Sequence, residues 1–327
     1  MHLKALVTGA TGFIGSHLVE TLITKNWDIT CLIRSKSRVD FLKKFPVHFV
    51  ISQPDSPESF EKAVIGQDYT FHLAGRILSA SPRTYDLANR QLTRNLIHAC
   101  LRKNPTIKRF VHVSSIAAAG PSPPGQYADE TQPCAPTSEY GRSKLRGEEA
   151  VQEIWDSIPA TIIRPPNVYG PRQKETEQLI KVLSKRIVPM LKQEDKTTSL
   201  IYVKDLVDGI IQAAFSPKTR SQIYYLTDGK GYSWREITLM LKKHLLGNSL
   251  HFPLPEEFIY FSAFLVDMLK RTKLIKSFFG RRAWKAMVQT PWLFSPAKAE
   301  KDFGFKTKYN LEKGIKETVD YYKHKFS

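Results

Sequence analysis

The sequence predicts an α/β fold, a doubly wound parallel sheet with a smaller C-terminal α/β layer, and three observations carry that prediction. Short β-branched or apolar runs alternate with longer helical patterns from the N-terminus onward. A glycine-rich turn, Thr8-Gly-Ala-Thr-Gly-Phe-Ile-Gly15, closes the first apolar run and opens the first helical pattern. Past Gly170 the alternation loosens with no internal repeat and no low-complexity tract, which suits a layer laid over the strand ends better than a linker-joined unit.

Taken in order, Leu3 to Thr8 reads as a strand, Gly12 to Lys25 as a helix, and Asp28 to Ile33 and Val47 to Ile51 as strands. Tyr69 to Ala74 and Arg109 to Ser114 continue the series, with a long helix from Pro82 to Lys103 between them. Gly120 to Gly125 is a turn-rich loop, Glu139 to Trp155 a helix, and Ala160 to Arg164 a strand that Pro165-Pro166 stops. Looser elements follow: a helix over Glu175 to Val188, a strand over Leu200 to Val203, a helix from Asp205 that this residue would cap, and a strand over Ile223 to Leu226. Right-handed crossovers place the carboxyl ends of the parallel strands on one edge, where ligands of such sheets bind.

With 327 residues the chain can bury a large core without a staple. Its three cysteines, Cys31, Cys100 and Cys134, form neither a Cys-x-x-Cys pair nor an even framework, which implies free thiols and a reducing, cytoplasmic setting. The N-terminus enters a strand at once, without the pattern of a signal peptide. Phe258 to Leu269 is nearly uncharged but contains Asp267 and is too short to span a bilayer.

A net charge of +18 invites a nucleic-acid reading, yet no reading module is visible, so no nucleic-acid partner is expected. Basic residues concentrate at Lys270, Arg271, Lys273, Lys276, Arg281, Arg282 and Lys285, with no acid between Met268 and Thr290. Leu274, Ile275, Phe278, Phe279, Trp284 and Met287 are interleaved with them. The default reading is a helix with a solvated basic face. Peripheral contact of residues 258–288 with anionic lipid, or cover over an anionic substrate, is the alternative. Nine histidines show no metal-ligand spacing, so no metal is expected.

Gly9, Gly12 and Gly15 let backbone approach a pyrophosphate at a helix N-terminus, where unpaired N–H groups and the macrodipole favour negative charge. Their G-x-x-G-x-x-G spacing makes Gly9, Thr11, Gly12, Phe13, Ile14 and Gly15 the expected phosphate-binding turn. Arg34 ends the second strand, where dinucleotide folds read the adenosine ribose. A guanidinium there can pair a 2′-phosphate, and Lys36 and Arg38 add charge, so NADP is preferred over NAD.

Tyr140 and Lys144 stand one helical turn apart, a spacing that by itself means only a helical surface pair. Together with Phe71-His-Leu-Ala-Gly75, Ser114-Ser115, Arg164-Pro-Pro-Asn-Val-Tyr-Gly-Pro171, Tyr202-Val-Lys-Asp-Leu206 and Ser295-Pro-Ala-Lys-Ala-Glu-Lys-Asp-Phe-Gly-Phe305, the motifs resemble the extended short-chain dehydrogenase/reductase family. This family is also described as the NAD-dependent epimerase/dehydratase group. The chain resembles its 3-beta-hydroxysteroid dehydrogenase-like and dihydroflavonol reductase-like members, and the resemblance covers nearly the whole chain.

The resemblance implies a Rossmann NAD(P)-binding domain over residues 1–172, with segments near 204–228 returning to it, and a substrate-binding domain over 173–327. It implies Tyr140 as acid/base, Lys144 on the nicotinamide ribose and as the group lowering the Tyr140 pKa, and Ser115 on the substrate oxygen. Leu73, Ala74, Gly75, Pro166 and Val168 become further cofactor-binding positions. Asn89, in Asn89-Arg-Gln-Leu-Thr-Arg-Asn95, falls on the family's Asn-x-x-Gly-Thr helix, with Leu92 in place of Gly, and is expected to support the neighbouring strand. A homodimer is expected on the same ground.

Departures from the family pattern narrow the chemistry. Ile116-Ala117 stands where sugar-nucleotide dehydratases carry Asp-Glu, which disfavours dehydration. Thr197-Thr-Ser-Leu-Ile-Tyr-Val-Lys-Asp205 lacks the Arg with which many nucleotide-sugar epimerases grip a diphosphate, leaving Lys196 or the basic segment after Lys270 for that task. Gln53 replaces an Asp often set against adenine. The reading is therefore an NAD(P)-dependent oxidoreductase acting on a secondary alcohol or ketone of a small-molecule substrate. A nucleotide-sugar epimerase is the alternative, and a non-catalytic dinucleotide-sensing scaffold is the alternative from another class.

Overall fold

The computed structural model describes residues 2–52, 56–77, 81–183, 187–191, 197–245, 250–254 and 291–326. Seven parallel strands form its main sheet: β1 (Lys4–Thr8), β2 (Asp28–Arg34), β3 (Val47–Ser52), β4 (Tyr69–His72), β5 (Arg109–Val113), β6 (Ala160–Arg164) and β10 (Gln222–Tyr225). Their spatial order is β3-β2-β1-β4-β5-β6-β10. Strand order reverses between β1 and β4, and the crevice at that reversal lies beyond their carboxyl ends, at Thr8 and His72.

Alternation along β1 sends side chains to two separate cores. Ala5 and Val7 join Leu18 and Leu22 of α1 (Phe13–Thr24) and Leu206 and Ile210 of α8 (Val203–Phe215) on one face. Leu6 faces the other way, into Phe60 of α2 (Pro57–Val64), Leu96 of α4 (Leu92–Lys103), and Phe110. Because both faces are covered, all five residues of β5 and of β6 are buried, Arg109 and Arg164 included.

The helix anticipated from Pro82 to Lys103 is present but contains a π-helical stretch, Leu87–Gln91, between α3 (Pro82–Asp86) and α4. Asn89 lies in that stretch, which widens the helix by one residue per turn and marks a place where a side chain is re-aimed. Helix α2 was not expected. Its first turn starts at Pro57 after Ser56, but only eight residues are long enough to bury Phe60, Ala63 and Val64. The next helices are α5 (Ile116–Ala119), α6 (Glu139–Gln152) and α7 (Lys174–Leu183).

Over the strand ends lies a three-stranded sheet, β11 (Gly231–Ser233) antiparallel to β9 (Thr197–Tyr202) and β9 parallel to β7 (Asn167–Tyr169). β7 corrects the expectation that Pro165-Pro166 ends regular structure: the prolines end β6, and pairing resumes one residue later. The helix expected to reach Val188 stops at Leu183, since Val188 belongs to β8 (Ile187–Leu191), which pairs with β12 (Leu250–Leu254). A separate core of Ile180, Leu241, Leu311, Ile315 and Tyr322 joins α7, α9 (Trp234–His244) and the C-terminal helix Leu311–Phe326.

Asp205 does not cap its own helix. Tyr202 occupies the N-cap position, and the buried Asp205 carboxylate accepts the amides of Lys308 and Tyr309 at 2.9 and 3.1 Å, tying the last loop to α8. After residue 290 the chain returns along the same layer: Pro291 accepts the Ser122 amide, and Leu293 accepts that of Ala128. Gln53, Lys196 and residues 258–288, to which the sequence assigned adenine, diphosphate or membrane contacts, lie outside the described residues.

Candidate active site

The glycine turn is built to let backbone pass close to backbone. Gly9 has φ of +70° and packs so tightly on Leu73 and Ala74 that a Cβ there would sit 2.7 Å from the Ala74 nitrogen. A Cβ on Gly15 would overlap the Gly9 carbonyl. The Gly12 amide turns back to Gly9 O at 2.9 Å, and α1 begins at Phe13 with no side-chain cap. Amides of the first helical turn are thus left without intrahelical acceptors, beside exposed Thr11 and Gly12. This cradle fits a pyrophosphate, and a side chain at Gly9 or Gly15 would close it.

Leu73 and Ala74 form the opposite wall, fixed by hydrogen bonds from their amides to Thr8 O and Thr8 Oγ1 at 3.2 and 3.1 Å. Thr8 Oγ1 also meets His72 Nδ1 at 2.7 Å, and His72 Nε2 meets Thr93 Oγ1 at 2.9 Å. With both ring nitrogens paired, burial and then the Lys144 charge push His72 down to about 3, so it stays neutral. Gly75 is exposed between Asn89 and Lys144: a Cβ there would lie 2.8 Å from Asn89 Oδ1 and 3.8 Å from Lys144 Nζ. Arg34 is exposed at the end of β2, its amide bonded to Ser37 Oγ at 3.1 Å. Pro166 is buried and Val168 half-buried beyond β6. Gly9 to Gly15, Arg34, Leu73 to Gly75, and Pro166 with Val168 thus end or follow β1, β2, β4 and β6 at their carboxyl ends.

Helix α6 brings the proton-handling residues to the same edge. Ser138 caps it by accepting the Gly141 amide at 3.0 Å, and Gly141 and Gly147 let it lie against Ala117 and Asn89. Tyr140, Lys144 and Glu148 follow at i, i+4 and i+8, so they form one stripe on the helix. That stripe meets three consecutive residues beyond or ending β5. Tyr140 lies beside Ser115, Lys144 Nζ donates to Val113 O at 2.8 Å, and Ser114 Oγ donates to Glu148 Oε1.

The two neighbouring serines are thereby sorted. Ser114 is buried against Glu148, whereas Ser115 is half-buried, accepts the Ala117 amide at 3.1 Å and reaches the phenol. Burial pushes the Tyr140 phenol up to about 12, against the pull of the neighbouring Ser115 hydroxyl, and nearby Tyr85 adds to the rise. Burial likewise brings Lys144 down to about 8, opposed by the Glu148 carboxylate. Burial is the largest influence on both groups.

Asn89 has a supporting place, though it holds the loop after β4 and α6 rather than a strand. Its side-chain amide donates to Ser143 Oγ at 2.8 Å and Arg76 O at 3.2 Å, and its oxygen accepts the Arg76 amide at 2.8 Å. It therefore ties α6 to the loop after β4. Three neighbours escaped the sequence reading. Tyr85 places its ring 6.2 Å from that of Tyr140 and donates to Ile77 O at 3.0 Å. Glu148 and Arg164 form a buried ion pair at 2.6 Å, with side chains 0% and 4% exposed. Spacing could have revealed Glu148, one turn beyond Lys144 on the same stripe, whereas Arg164 read as the end of a strand and the start of a family motif, with no sign of its partner.

The sequence profile of the NAD dependent epimerase/dehydratase family matches residues 5–226. Ceramide reductase of Caulobacter vibrioides is 29% identical over 97% of this chain and 93% of its own length. UDP-glucose 4-epimerase of Vibrio cholerae is also 29% identical, over 76% of this chain and 78% of its own. Among solved structures, UDP-glucose 4-epimerase of Thermotoga maritima with UDP-glucose superposes with a TM-score of 0.78 at 21% identity, covering 99% of this chain and 100% of that one.

Proposed function

The chain belongs to the NAD dependent epimerase/dehydratase family, and from that premise we propose that it is a reductase converting the ketone of an amphipathic, lipid-like substrate to a secondary alcohol. A nicotinamide dinucleotide, when bound, supplies the hydride. The chain's own residues do the rest. Gly9 to Gly15 hold the pyrophosphate, Lys144 holds the nicotinamide ribose, Ser115 donates to the carbonyl oxygen, and Tyr140 gives that oxygen its proton.

The observation that carries the reading is the placing of Ser115, Tyr140 and Lys144 together at the carboxyl end of β5, with Lys144 Nζ held on Val113 O at 2.8 Å. The ceramide reductase relative supports the reductive direction, in which the protonated phenol is the donor. Residues 1–172, with the segments near 204–228 that return to them, are proposed as the dinucleotide half, and the remainder of 173–327 as the substrate half. Arg34 at the end of β2 supports NADP over NAD, since its exposed guanidinium can pair a 2′-phosphate.

Two observations support the lipid-like substrate. Leu200, Ile201 and Tyr202 of β9 are buried and uncharged, offering no cation to a diphosphate. The ceramide reductase relative spans nearly all of the chain, including the C-terminal segments where specificity resides in this fold. Residues 258–288, with their basic and apolar interleaving, are proposed to rest on the anionic bilayer from which such a substrate would come. No described helix is long and apolar enough to cross a membrane. A cytoplasmic homodimer paired through the helices following β4 and β5 completes the reading.

The test is loss of NADPH absorbance on adding long-chain ketones to purified protein, with Tyr140→Phe as the control. Turnover by the wild type and none by the variant supports the reading. Tightly held dinucleotide that copurifies, with no net oxidation and with interconversion of UDP-sugars, would instead establish the epimerase reading that the Vibrio cholerae relative favours. Vesicle flotation that is indifferent to anionic lipid removes the membrane contact, and a monomer by light scattering removes the dimer.

A further inference from the structure

We propose that the buried Glu148–Arg164 pair is a positioning device for catalysis, in which Glu148 aims the Ser114-Ser115 segment and keeps Lys144 charged. The inference rests on the reading of Lys144 as a cofactor-binding group. Its basis is the geometry of one helix face against one strand end. Glu148 stands one turn beyond Lys144 on α6, and Lys144 and Glu148 grip successive residues, Val113 through its carbonyl and Ser114 through its hydroxyl. The next residue, Ser115, meets Tyr140 on the same stripe.

Both Glu148 oxygens are held. Arg164 Nε lies 3.0 Å from Oε1 and 3.2 Å from Oε2, and Nη2 lies 2.6 Å from Oε2. Arg164 is itself fixed from two other elements, by the Tyr225 hydroxyl at 3.0 Å and Cys134 Sγ at 3.0 Å. A pair so buried is poor evidence for stability, because apolar residues of similar volume commonly serve a fold as well. What apolar residues cannot provide is an acceptor for Ser114 and a negative charge one turn from Lys144.

The charge matters because Lys144 has little else to favour its ammonium form. Its one hydrogen bond among the described residues is to Val113 O, and burial brings it down to about 8 against the opposing pull of Glu148. The other titratable groups nearby offer no negative charge. His72 on β4 and His112 on β5 are kept neutral by burial, and the Tyr140 phenol stays protonated. Arg164 on β6 carries positive charge, held charged by Glu148 despite its burial.

The experiment follows NADPH binding by fluorescence as a function of pH, which needs no knowledge of the substrate. Affinity of the wild type is expected to fall as pH rises through the Lys144 titration. In Glu148→Gln, which keeps the shape and removes the charge, the fall is expected about one pH unit lower. Glu148→Gln leaves a buried guanidinium unpaired, so the double variant Glu148→Leu/Arg164→Met is measured beside it and is expected to show a displacement of the same sign but smaller in a folded protein, because the Arg164 positive charge leaves with the carboxylate. A folded variant whose titration coincides with that of the wild type overturns the inference and leaves the reductase reading standing. A wild type that binds neither NADPH nor NADH overturns the reductase reading and this inference with it.

Discussion

Gly141 and Ala117 touch so closely that a Cβ on Gly141 would overlap the Ala117 carbonyl oxygen. The contact lies between the residue after Tyr140 and the second residue after Ser115, so the spacing of the two proton-handling groups depends on a missing side chain. Gly141→Ala ordinarily gains about 1 kcal/mol of helix propensity. Here the new methyl meets backbone that cannot rotate away, and overpacking of this kind costs roughly 1–3 kcal/mol. A lower melting temperature and at least a tenfold lower rate of ketone reduction are expected. A variant with both properties intact would mean that α6 shifts freely and that the spacing is not held at this contact.

Tyr140→Phe and Ser115→Ala should separate chemistry from architecture. The phenol's hydroxyl is asked only to move a proton, so its removal is expected to lower the reduction rate by about 10²–10⁴-fold with NADPH affinity and melting temperature nearly unchanged. Ser115 also accepts the Ala117 amide as the N-cap of α5. Its replacement should therefore lower activity and cost about 1 kcal/mol of stability as well. Equal stability losses in the two variants, measured by denaturant titration, would contradict this division of labour.

Cofactor choice is predicted to turn on Arg34. Its side chain is exposed and its hydrogen bonds with Ser37 are made by the Arg34 backbone, so changing the side chain should leave the fold intact. A charge-assisted hydrogen bond to the 2′-phosphate is worth about 1.5–3 kcal/mol, or roughly 10–100-fold in affinity. Arg34→Asp is expected to lose NADPH affinity by that factor and gain affinity for NADH, whose 2′-hydroxyl can donate to the new carboxylate. Unchanged preference in a fluorescence titration would assign the selection to Lys36, Arg38 or the residues after β3.

The glycine turn and the main-sheet strands were legible in the sequence because each rests on a local rule: chain length between breakers, period-two burial, and the demand of Gly9 for positive φ. Asn89 was legible as a supporting residue only through resemblance. The π-helical stretch that aims it cannot be told from an α-helix by spacing within the span from Pro82 to Lys103. β7 and β8 were missed because they owe their conformation to strands far away in sequence, β9 and β12. Asp205 was misassigned for the converse reason. A helix-start aspartate is a cap by local rules, yet here the amides it accepts belong to residues a hundred positions later. The state of Tyr140 was not legible either, because burial, which sets it, is a property of the assembled layers.

Acid sensitivity is the last expectation, and it rests on His17. The imidazole is buried between α1 and the turn after β7, with Nε2 2.9 Å from Pro171 O and the Arg172 guanidinium, itself paired to Glu20 at 2.7 Å, beside it. Burial first, and then the Arg172 charge, bring it from the usual 6.5 down to about 4. Because the folded protein binds this proton less readily than the unfolded chain, the stability it contributes is full above pH 6.5. That stability is lost as pH falls from there through 4, by roughly 3 kcal/mol. His17→Gln keeps a donor for Pro171 and cannot titrate, so its unfolding free energy should fall less steeply between those pH values. The slope that remains belongs to His72 and the other buried groups. Denaturant titrations across this range that gave parallel slopes for wild type and variant would show that protonated His17 finds solvent without unfolding the chain.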